Sequence, residues 1–218
     1  YTGREHGVER SIYLSDSLEL KTQIGAIQFD TISYMSPFVE KGKLVVGTVG
    51  ADILKDKVAQ IDFPNQMIIL SDDLHLDGLT LHEMSLSYGR PVFHLPMGKS
   101  NYQFLFDTGS SIFELWTTRK IWKRVTNRKS PISELSVWSW GKLNTVYTAS
   151  LSDKMKFLTC ENIELNSASY SANKEHRRNF KQADVDGVIG NKPFLANVVV
   201  LDFKSCLLYT SPSPRDDR

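Results

Sequence analysis

The chain has 218 residues, of which 41% are apolar, and it carries a formal net charge of +1. A chain of this length can bury one large core or two small ones. The near-neutral charge argues against nucleic acid as a partner, and no run of about 18 apolar residues is present to form a transmembrane helix.

Short β-forming runs occupy the first third of the chain. We predict strands at residues 12–14, 18–21, 26–33, 44–46, 59–63 and 67–70. A short helix is expected near residues 52–55, and Pro64-Asn65 marks a turn between the last two strands. The polar residues 72–78 are typical of a link between two structural units.

Strands also dominate the remainder. We predict them at residues 81–88, 92–95, 102–106, 136–140, 144–150, 156–158, 163–170, 187–189 and 198–202. One helix is expected at residues 117–124, where basic residues alternate with Ile121 and Trp122, and we interpret its basic side as a solvent-exposed face. Many strands and few helices indicate an all-β fold.

The most informative segment is an apolar run at residues 102–106 that ends in Asp107-Thr108-Gly109-Ser110. A buried strand followed by a tight turn presents a carboxylate at the strand end. Hydroxyl groups next to that carboxylate can hold it by hydrogen bonds. The segment resembles the active-site loop of the aspartic peptidases, the pepsin and retropepsin group, and the closer likeness is to bacterial retropepsin-like proteins with two tandem lobes.

A second segment strengthens the resemblance. Gly187-Val188-Ile189-Gly190 is followed by Phe194-Leu195 and then by an apolar run that ends in Asp202-Phe203. In the family, a strand of two hydrophobic residues and a glycine passes beneath the aspartate loop and leads through a short helix to a final strand. The order and the chemistry of the two segments match that pattern.

The chain also repeats itself. Residues 47–50, which begin with Gly47 and end with Gly50, match Gly187 to Gly190, and residues 61–63 match residues 201–203. The spacing agrees, because 62 − 50 and 202 − 190 both equal 12. Repetition of this kind indicates two copies of one structural unit.

The resemblance therefore implies an acid-protease-like double lobe of small closed β-barrels with short helices. We assign residues 1–72 to the C-terminal part of a first lobe and residues 73–205 to a second lobe. In the second copy the aspartate precedes the glycine motif by 187 − 107 = 80 positions, which would place a first-copy aspartate at 47 − 80 = −33. We therefore expect the first lobe to be incomplete in this chain.

Residues 206–218 have a different character. Residues 206–216, Cys-Leu-Leu-Tyr-Thr-Ser-Pro-Ser-Pro-Arg-Asp, resemble the translation of a transposon-end sequencing adaptor, and each residue fits one codon. We interpret residues 206–218 as adaptor read-through and set them aside from fold reasoning.

The resemblance implies a mechanism built on two aspartates. Two carboxylates about 3 Å apart share one proton, so that one acts as a base on a water molecule while the other acts as an acid. Asp107 would be one member of the pair. Thr108 would form hydrogen bonds between the lobes, Gly109 would permit close approach, and Ser110 would bond the outer carboxylate oxygen. The second loop would come from the missing part of the first lobe or, as a second choice, from a homodimer.

Other features complete the expectation. The hairpin that contains Trp140 and Gly141 occupies the place of a flap over the cleft in the family, although tryptophans at alternate positions also suit a packed core. We expect a peptide or protein substrate, no cofactor and no metal, because the five histidines lack metal-binding spacing. Relatives of this kind are often exported.

Two other functions fit parts of the sequence. A protease-like lobe that has lost activity could serve as a binding or structural module, and the residue in the partner loop decides between the two. An aspartyl-phosphate enzyme also places an aspartate after an apolar strand. Its second motif is absent here, and the alternating helices of an α/β sheet are not predicted.

Overall fold

The computed structural model describes a subset of the backbone. The described residues are 2–5, 8–15, 18–22, 25–29, 32–35, 38–40, 43–45, 50–72, 80–139, 142–156 and 163–212. Side chains are described only from residue 50 onward, without residues 52, 73–80, 138–142, 153–162 and 211–218.

The chain divides into two units, and the first comprises Tyr1–Ile53 with Val137–Asn144. The strands numbered first lie in it: β1 Thr2–Glu5, β2 Val8–Ser15, β3 Leu18–Thr22, β4 Gly25–Phe29, β5 Ile32–Met35, β6 Phe38–Glu40 and β7 Lys43–Val45. They pair in the order β1-β2-β5 and as the hairpins β3-β4 and β6-β7. The single strand predicted at residues 26–33 is thus two strands, β4 and β5. We placed the link between lobes at residues 72–78, and all of these except Asp72 lie outside the described residues.

The second unit, Leu54–Ser136 with Thr145–Arg218, contains most of one large sheet. Its strands are β8 Val58–Asp62, β9 Met67–Ser71, β10 Thr80–Ser87, β11 Arg90–Met97, β12 Ser100–Phe106, β13 Leu115–Thr117, β14 Ser133–Ser139, β15 Lys142–Lys156, β16 Glu164–Ser171, β17 Gly187–Ile189, β18 Asn197–Asp202 and β19 Leu207–Pro212. The order is β14-β15-β16-β13-β17-β12-β11-β10-β19-β18-β8-β9.

The described chain is mostly β, as predicted. The large sheet is open, however, because β14 and β9 each have a neighbour on one side only among the described strands. It therefore differs from the closed barrels that we expected. Two α-helices are present in the described chain, α1 Arg119–Val125 and α2 Lys174–Gln182, with 3-10 helices at Ala51–Leu54 and Lys192–Phe194.

Helix α1 behaves as its sequence predicts. The Thr118 hydroxyl accepts a hydrogen bond from the Ile121 N–H at 3.4 Å and caps the first turn. Ile121, Trp122 and Val125 are buried, whereas the basic residues between them are exposed. The described helix therefore presents its basic side to solvent, as the sequence indicated.

Aromatic side chains fill the core on one face of the sheet. Phe93 and Phe106, on neighbouring β11 and β12, stack with ring centroids 5.2 Å apart. The Phe194 ring meets the Phe106 ring edge-on at 5.4 Å, and all three side chains are buried. Aromatic packing therefore anchors the C-terminal end of β12, the strand that leads into Asp107.

Two hairpins reproduce the sequence repeat in three dimensions. Equivalent residues of the two copies, called mates here, differ by 202 − 62 = 140 positions, so β8 and β9 correspond to β18 and β19. Val58 pairs with Ser71 in the first hairpin, and Val198 pairs with Ser211 in the second. Both turns place one residue at positive φ, Gln66 at 56° and Cys206 at 55°.

The turns of the two hairpins also share a hydrogen bond from a backbone N–H to an aspartate side chain. Asp62 Oδ1 accepts from the Asn65 N–H at 2.9 Å, and Asp202 Oδ1 accepts from the Ser205 N–H at 3.1 Å. A carboxylate that caps the turn favours the same hairpin geometry in each copy. The repeat seen in the sequence therefore corresponds to two structurally equivalent hairpins.

Part of residues 206–218, which we interpreted as adaptor read-through, takes part in the sheet. Strand β19, Leu207–Pro212, pairs with β10 on one side and β18 on the other. Leu208 and Thr210 are 0% and 1% exposed. Because Tyr209 and Thr210 are favourable in strands and Leu208 is buried, this segment completes the sheet whatever its genetic origin.

Candidate active site

The Asp107 carboxylate is held by its own loop. The Gly109 N–H donates to Oδ1 at 2.9 Å, and the Ser110 hydroxyl donates to Oδ2 at 3.2 Å. The Ser110 N–H also donates to the Asp107 carbonyl at 3.0 Å, which closes the turn. Each carboxylate oxygen thus has one donor in the loop and keeps lone pairs for another partner.

The strand order explains how the loop is supported. Strand β12 leads into the loop and β13 leaves it, but the two do not pair with each other: β17 lies between them. Phe106 pairs with Ile189 in a parallel ladder, and Leu115 pairs with the same Ile189 in an antiparallel one. The Asp107 N–H donates to the Ile189 carbonyl at 3.0 Å. The residues before and after the loop are therefore tied to one inserted strand.

The two glycines that bound β17 are required by close backbone contact. A β-carbon on Gly190 would lie 1.9 Å from the Ser110 carbonyl oxygen, and one on Gly187 would lie 2.3 Å from the Trp116 carbonyl oxygen. Backbone atoms cannot move aside as a flexible side chain can. Both positions therefore accept glycine alone in this arrangement.

Gly109 is less tightly enclosed. A β-carbon there would lie 3.1 Å from Asp107 Oδ1, the same oxygen that accepts the Gly109 N–H. A larger residue would therefore press on the carboxylate side chain and not on backbone atoms. Asp107 and Ser110 are half-buried, whereas Thr108 and Gly109 are exposed at the tip of the loop. The loop tip is thus available to a second body.

Asn191 links the loop to the end of β17. Its amide Nδ2 donates to the Thr108 carbonyl at 2.8 Å. Its Oδ1 is buried and has no hydrogen-bond partner within the described part of the chain. This bond lies within the second unit, and the inter-lobe hydrogen bonds expected of Thr108 remain a prediction.

Glu114 is a support that the sequence analysis missed. Its side chain is 5% exposed, and its Oε2 accepts from the Asn166 N–H at 2.5 Å and the Ser167 N–H at 2.9 Å. The Lys192 ammonium lies 3.1 Å from Oε1. Glu114 also accepts from the Gly190 N–H at 3.0 Å through its carbonyl. This carboxylate therefore joins β13, β16 and the segment after β17 behind the aspartate loop.

The other predicted site residues contribute less. Gly50 is exposed and lies outside any strand. Gly47, Trp140 and Gly141 lie outside the described residues, so the flap remains a prediction.

One buried ionisable side chain outside the Asp107 loop is His176. His176 on α2 is buried, and its ring meets the Trp116 ring edge-on at 4.7 Å. Burial lowers the pKa of His176, and the neighbouring Glu175 carboxylate opposes that shift.

Within the ranges that the structure describes, no group of three His, Cys, Asp or Glu residues could hold a metal ion. No helix of those ranges is long and apolar enough to cross a membrane.

Comparison of the chain with protein-family models, with curated proteins and with solved structures found no match.

Proposed function

We propose that this chain carries one half of the catalytic site of an aspartic endopeptidase, with Asp107 as one of two catalytic aspartates. The observation that carries the proposal is the Asp107 loop. Its carboxylate accepts from the Gly109 N–H and the Ser110 hydroxyl, and a glycine-bounded strand backs it.

The chemistry needs a second aspartate. Asp107-Thr108-Gly109 is the one Asp-Thr-Gly in the 218 residues, and Asp-Ser-Gly does not occur. In the assembled site, two carboxylates share a proton. The ionised one removes a proton from a water molecule, the water attacks the peptide carbonyl, and the protonated one stabilises the oxyanion before the amine leaves.

The acid-protease double lobe is part of the same proposal. Its support is the equivalence of the hairpins β8-β9 and β18-β19, which pair with each other in antiparallel register. Equivalent elements that meet in this way are expected where two copies of one unit join. The partner loop would then come from a second lobe or from a second copy of the chain.

The alternative is a protease-like binding or structural module without activity. The observation that favours it is the single Asp-Thr-Gly loop, because one carboxylate cannot act as acid and base together. In that case the exposed loop tip would contact a partner without cleaving it. Measured cleavage separates the two proposals.

The experiment compares the monomer with a covalently linked dimer of two full chains, using an unfolded protein as substrate between pH 3 and pH 7. We expect no cleavage from chains that sediment as monomers. We expect pepstatin-sensitive cleavage from the linked dimer. Replacing Asp107 by Asn in either half should reduce the rate by roughly 10²–10⁴-fold, because Asn cannot carry the proton.

Asp184→Asn is the matched control. Asp184 is exposed and lies at positive φ, 53°, a conformation that Asn tolerates. The control should cleave at the wild-type rate. Cleavage by a linked dimer in which both halves carry Asp107→Asn would disprove the catalytic role of Asp107. A folded linked dimer that never cleaves would exclude a second copy of the chain as the source of the partner loop.

A further inference from the structure

The repeat exposes a difference between two equivalent strands. Strand β19 lies inside the sheet, between β18 and β10, whereas its mate β9 is the last described strand on the other side. Leu208 of β19 is 0% exposed, and its mate Ile68 of β9 is 68% exposed. Tyr209 is 6% exposed, and its mate Ile69 is 41% exposed.

The edge of β19 that faces away from β18 is occupied by another strand. Strand β10 pairs with it antiparallel, with His82 opposite Leu208 and Thr80 opposite Thr210. Subtracting the repeat offset of 140 places the equivalent positions on β9 at Ile68 and Leu70. The outer edge of β9 therefore has the backbone geometry that accepts a strand on β19, but no described strand occupies it.

The composition of β9 points the same way. A free edge strand in a natural protein is usually protected by lysine, proline or a bulge. Strand β9 reads Met67-Ile68-Ile69-Leu70-Ser71 and contains none of these. Its ladder with β8 runs from Met67 to Ser71 without a register shift. An apolar edge strand without a register shift is suited to a strand partner.

We propose that the outer edge of β9 binds an extended protein segment as an added antiparallel strand, in the position that β10 holds on β19. The segment is expected to resemble β10, with β-forming residues, no proline and side chains that alternate between buried and exposed. In β10 itself, His82 and Met84 are buried while Leu81 and Glu83 are exposed. This inference stands apart from the proposed catalysis, because it depends on strand register and exposure alone.

The test uses a labelled peptide that copies residues 80–87 and the full 218-residue chain. We expect saturable binding, seen by fluorescence anisotropy, and slower amide exchange in residues 67–71 of the bound chain. Ile68→Lys should weaken binding by about tenfold or more, because an edge lysine opposes strand addition. Leu195→Lys is the control: Leu195 is also exposed, at 56%, but lies outside the strands.

Three results would overturn the proposal. The first is no binding to the wild-type chain together with unchanged exchange in β9. The second is equal weakening by Ile68→Lys and Leu195→Lys, which would indicate nonspecific apolar contact. The third is self-association that Ile68→Lys abolishes, which would make a second copy of the chain, rather than a separate segment, the occupant of this edge. In β10 the Met84 N–H donates to the Cys206 carbonyl, on the β19 side, so prolines at the positions of His82 and Met84 would remove N–H groups from the ladder. A peptide with those two prolines should fail to bind, and its binding would also count against strand addition.

Discussion

Gln60 and Val200, which hold the same position in the two copies of the repeat, face each other across the ladder between β8 and β18. On either side of them the pairs are reciprocal: Val58 lies opposite Asp202, and Asp62 lies opposite Val198. Such reciprocity is the pattern of a two-fold contact between like elements. The two copies of the repeat therefore pair with each other through β8 and β18, the first strands of their hairpins.

Gly190→Ala should destabilise the protein severely. The added β-carbon would lie 1.9 Å from the Ser110 carbonyl oxygen, so β17 or the Asp107 loop would have to move. We expect a loss of more than ~3 kcal/mol in the free energy of unfolding, measured with urea. Gly98→Ala is the control: Gly98 has open space but φ of +62°, so it should lose only about 1 kcal/mol. Equal losses would mean that the contact at Gly190 relaxes freely.

Glu114→Gln should weaken the support behind the loop. The substitution removes the charge from a buried group that accepts two backbone N–H bonds. We expect a loss of about 2 kcal/mol in the free energy of unfolding. Lys192→Ala removes the partner ammonium, whose side chain is 51% exposed, and should lose at most about 1 kcal/mol. A larger effect from Lys192→Ala would show that the ion pair, and not the backbone hydrogen bonds, holds Glu114.

Stability should depend on pH through two buried histidines. Burial lowers the pKa of both His82 and His176 from the ordinary value of 6.5. The unfolded chain then binds more protons than the folded one between the folded and unfolded pKa values. Stability is therefore full above about pH 6.5 and falls as pH drops through the folded pKa.

Urea unfolding of the wild-type chain between pH 7 and pH 5 measures this effect. His176→Gln and His82→Gln should each make the decline shallower, and the double variant should be shallower still. His94→Gln, with the His94 ring 2.9 Å from the Ser85 hydroxyl, is the comparison. If the double variant declines as steeply as the wild type, other groups account for the pH dependence.

Truncation should reveal the role of β19. Ending the chain at Ser205 removes Leu208 and Tyr209, which are 0% and 6% exposed, and leaves the edges of β10 and β18 unpaired. At about 2 kcal/mol for each buried apolar side chain, the loss should reach at least ~4 kcal/mol. Ending the chain at Pro212 should leave the melting temperature unchanged, because the residues beyond are polar and rich in charge. An unchanged melting temperature after truncation at Ser205 would show that β19 does not stabilise the sheet.

Ser110→Ala should separate positioning of the carboxylate from folding. The Ser110 hydroxyl donates to Asp107 Oδ2 at 3.2 Å in a half-buried site, so its loss should change stability by about 1 kcal/mol or less. In the linked dimer, cleavage should fall by roughly tenfold or more, because the carboxylate loses one fixed donor. Ser111→Ala, at an exposed neighbouring position, should leave cleavage unchanged. Equal rates for the two variants would argue against a positioning role for Ser110.

Local patterns in the sequence determined much of this protein. The apolar runs predicted β8 to β12 and β16 to β18 within a few residues, because each run is long enough to bury one face of a strand. The Asp107 motif and the glycines at 187 and 190 were visible because their spacing is short and their residue types are restrictive. The repeat was visible because two hairpins with one turn chemistry require similar residues.

Other elements depended on tertiary contacts. Strand β13 has only three residues, Leu115–Thr117, and exists because β16 and β17 pair with it on either side. Helix α2 was missed because one residue, His176, is buried along it, which leaves little apolar periodicity to detect.

Partners distant in sequence were decided by the fold alone. Glu114 is an ordinary surface residue type, and only the arrival of residues 166 and 167 beside it creates a buried acceptor site. The place of β19 was decided in the same way, because β10 and β18 come from segments far apart in the chain and meet only when the sheet forms. Residue patterns report local burial and turn geometry, whereas the choice of neighbour is settled by which long-range pairings leave the fewest backbone groups and apolar side chains without partners.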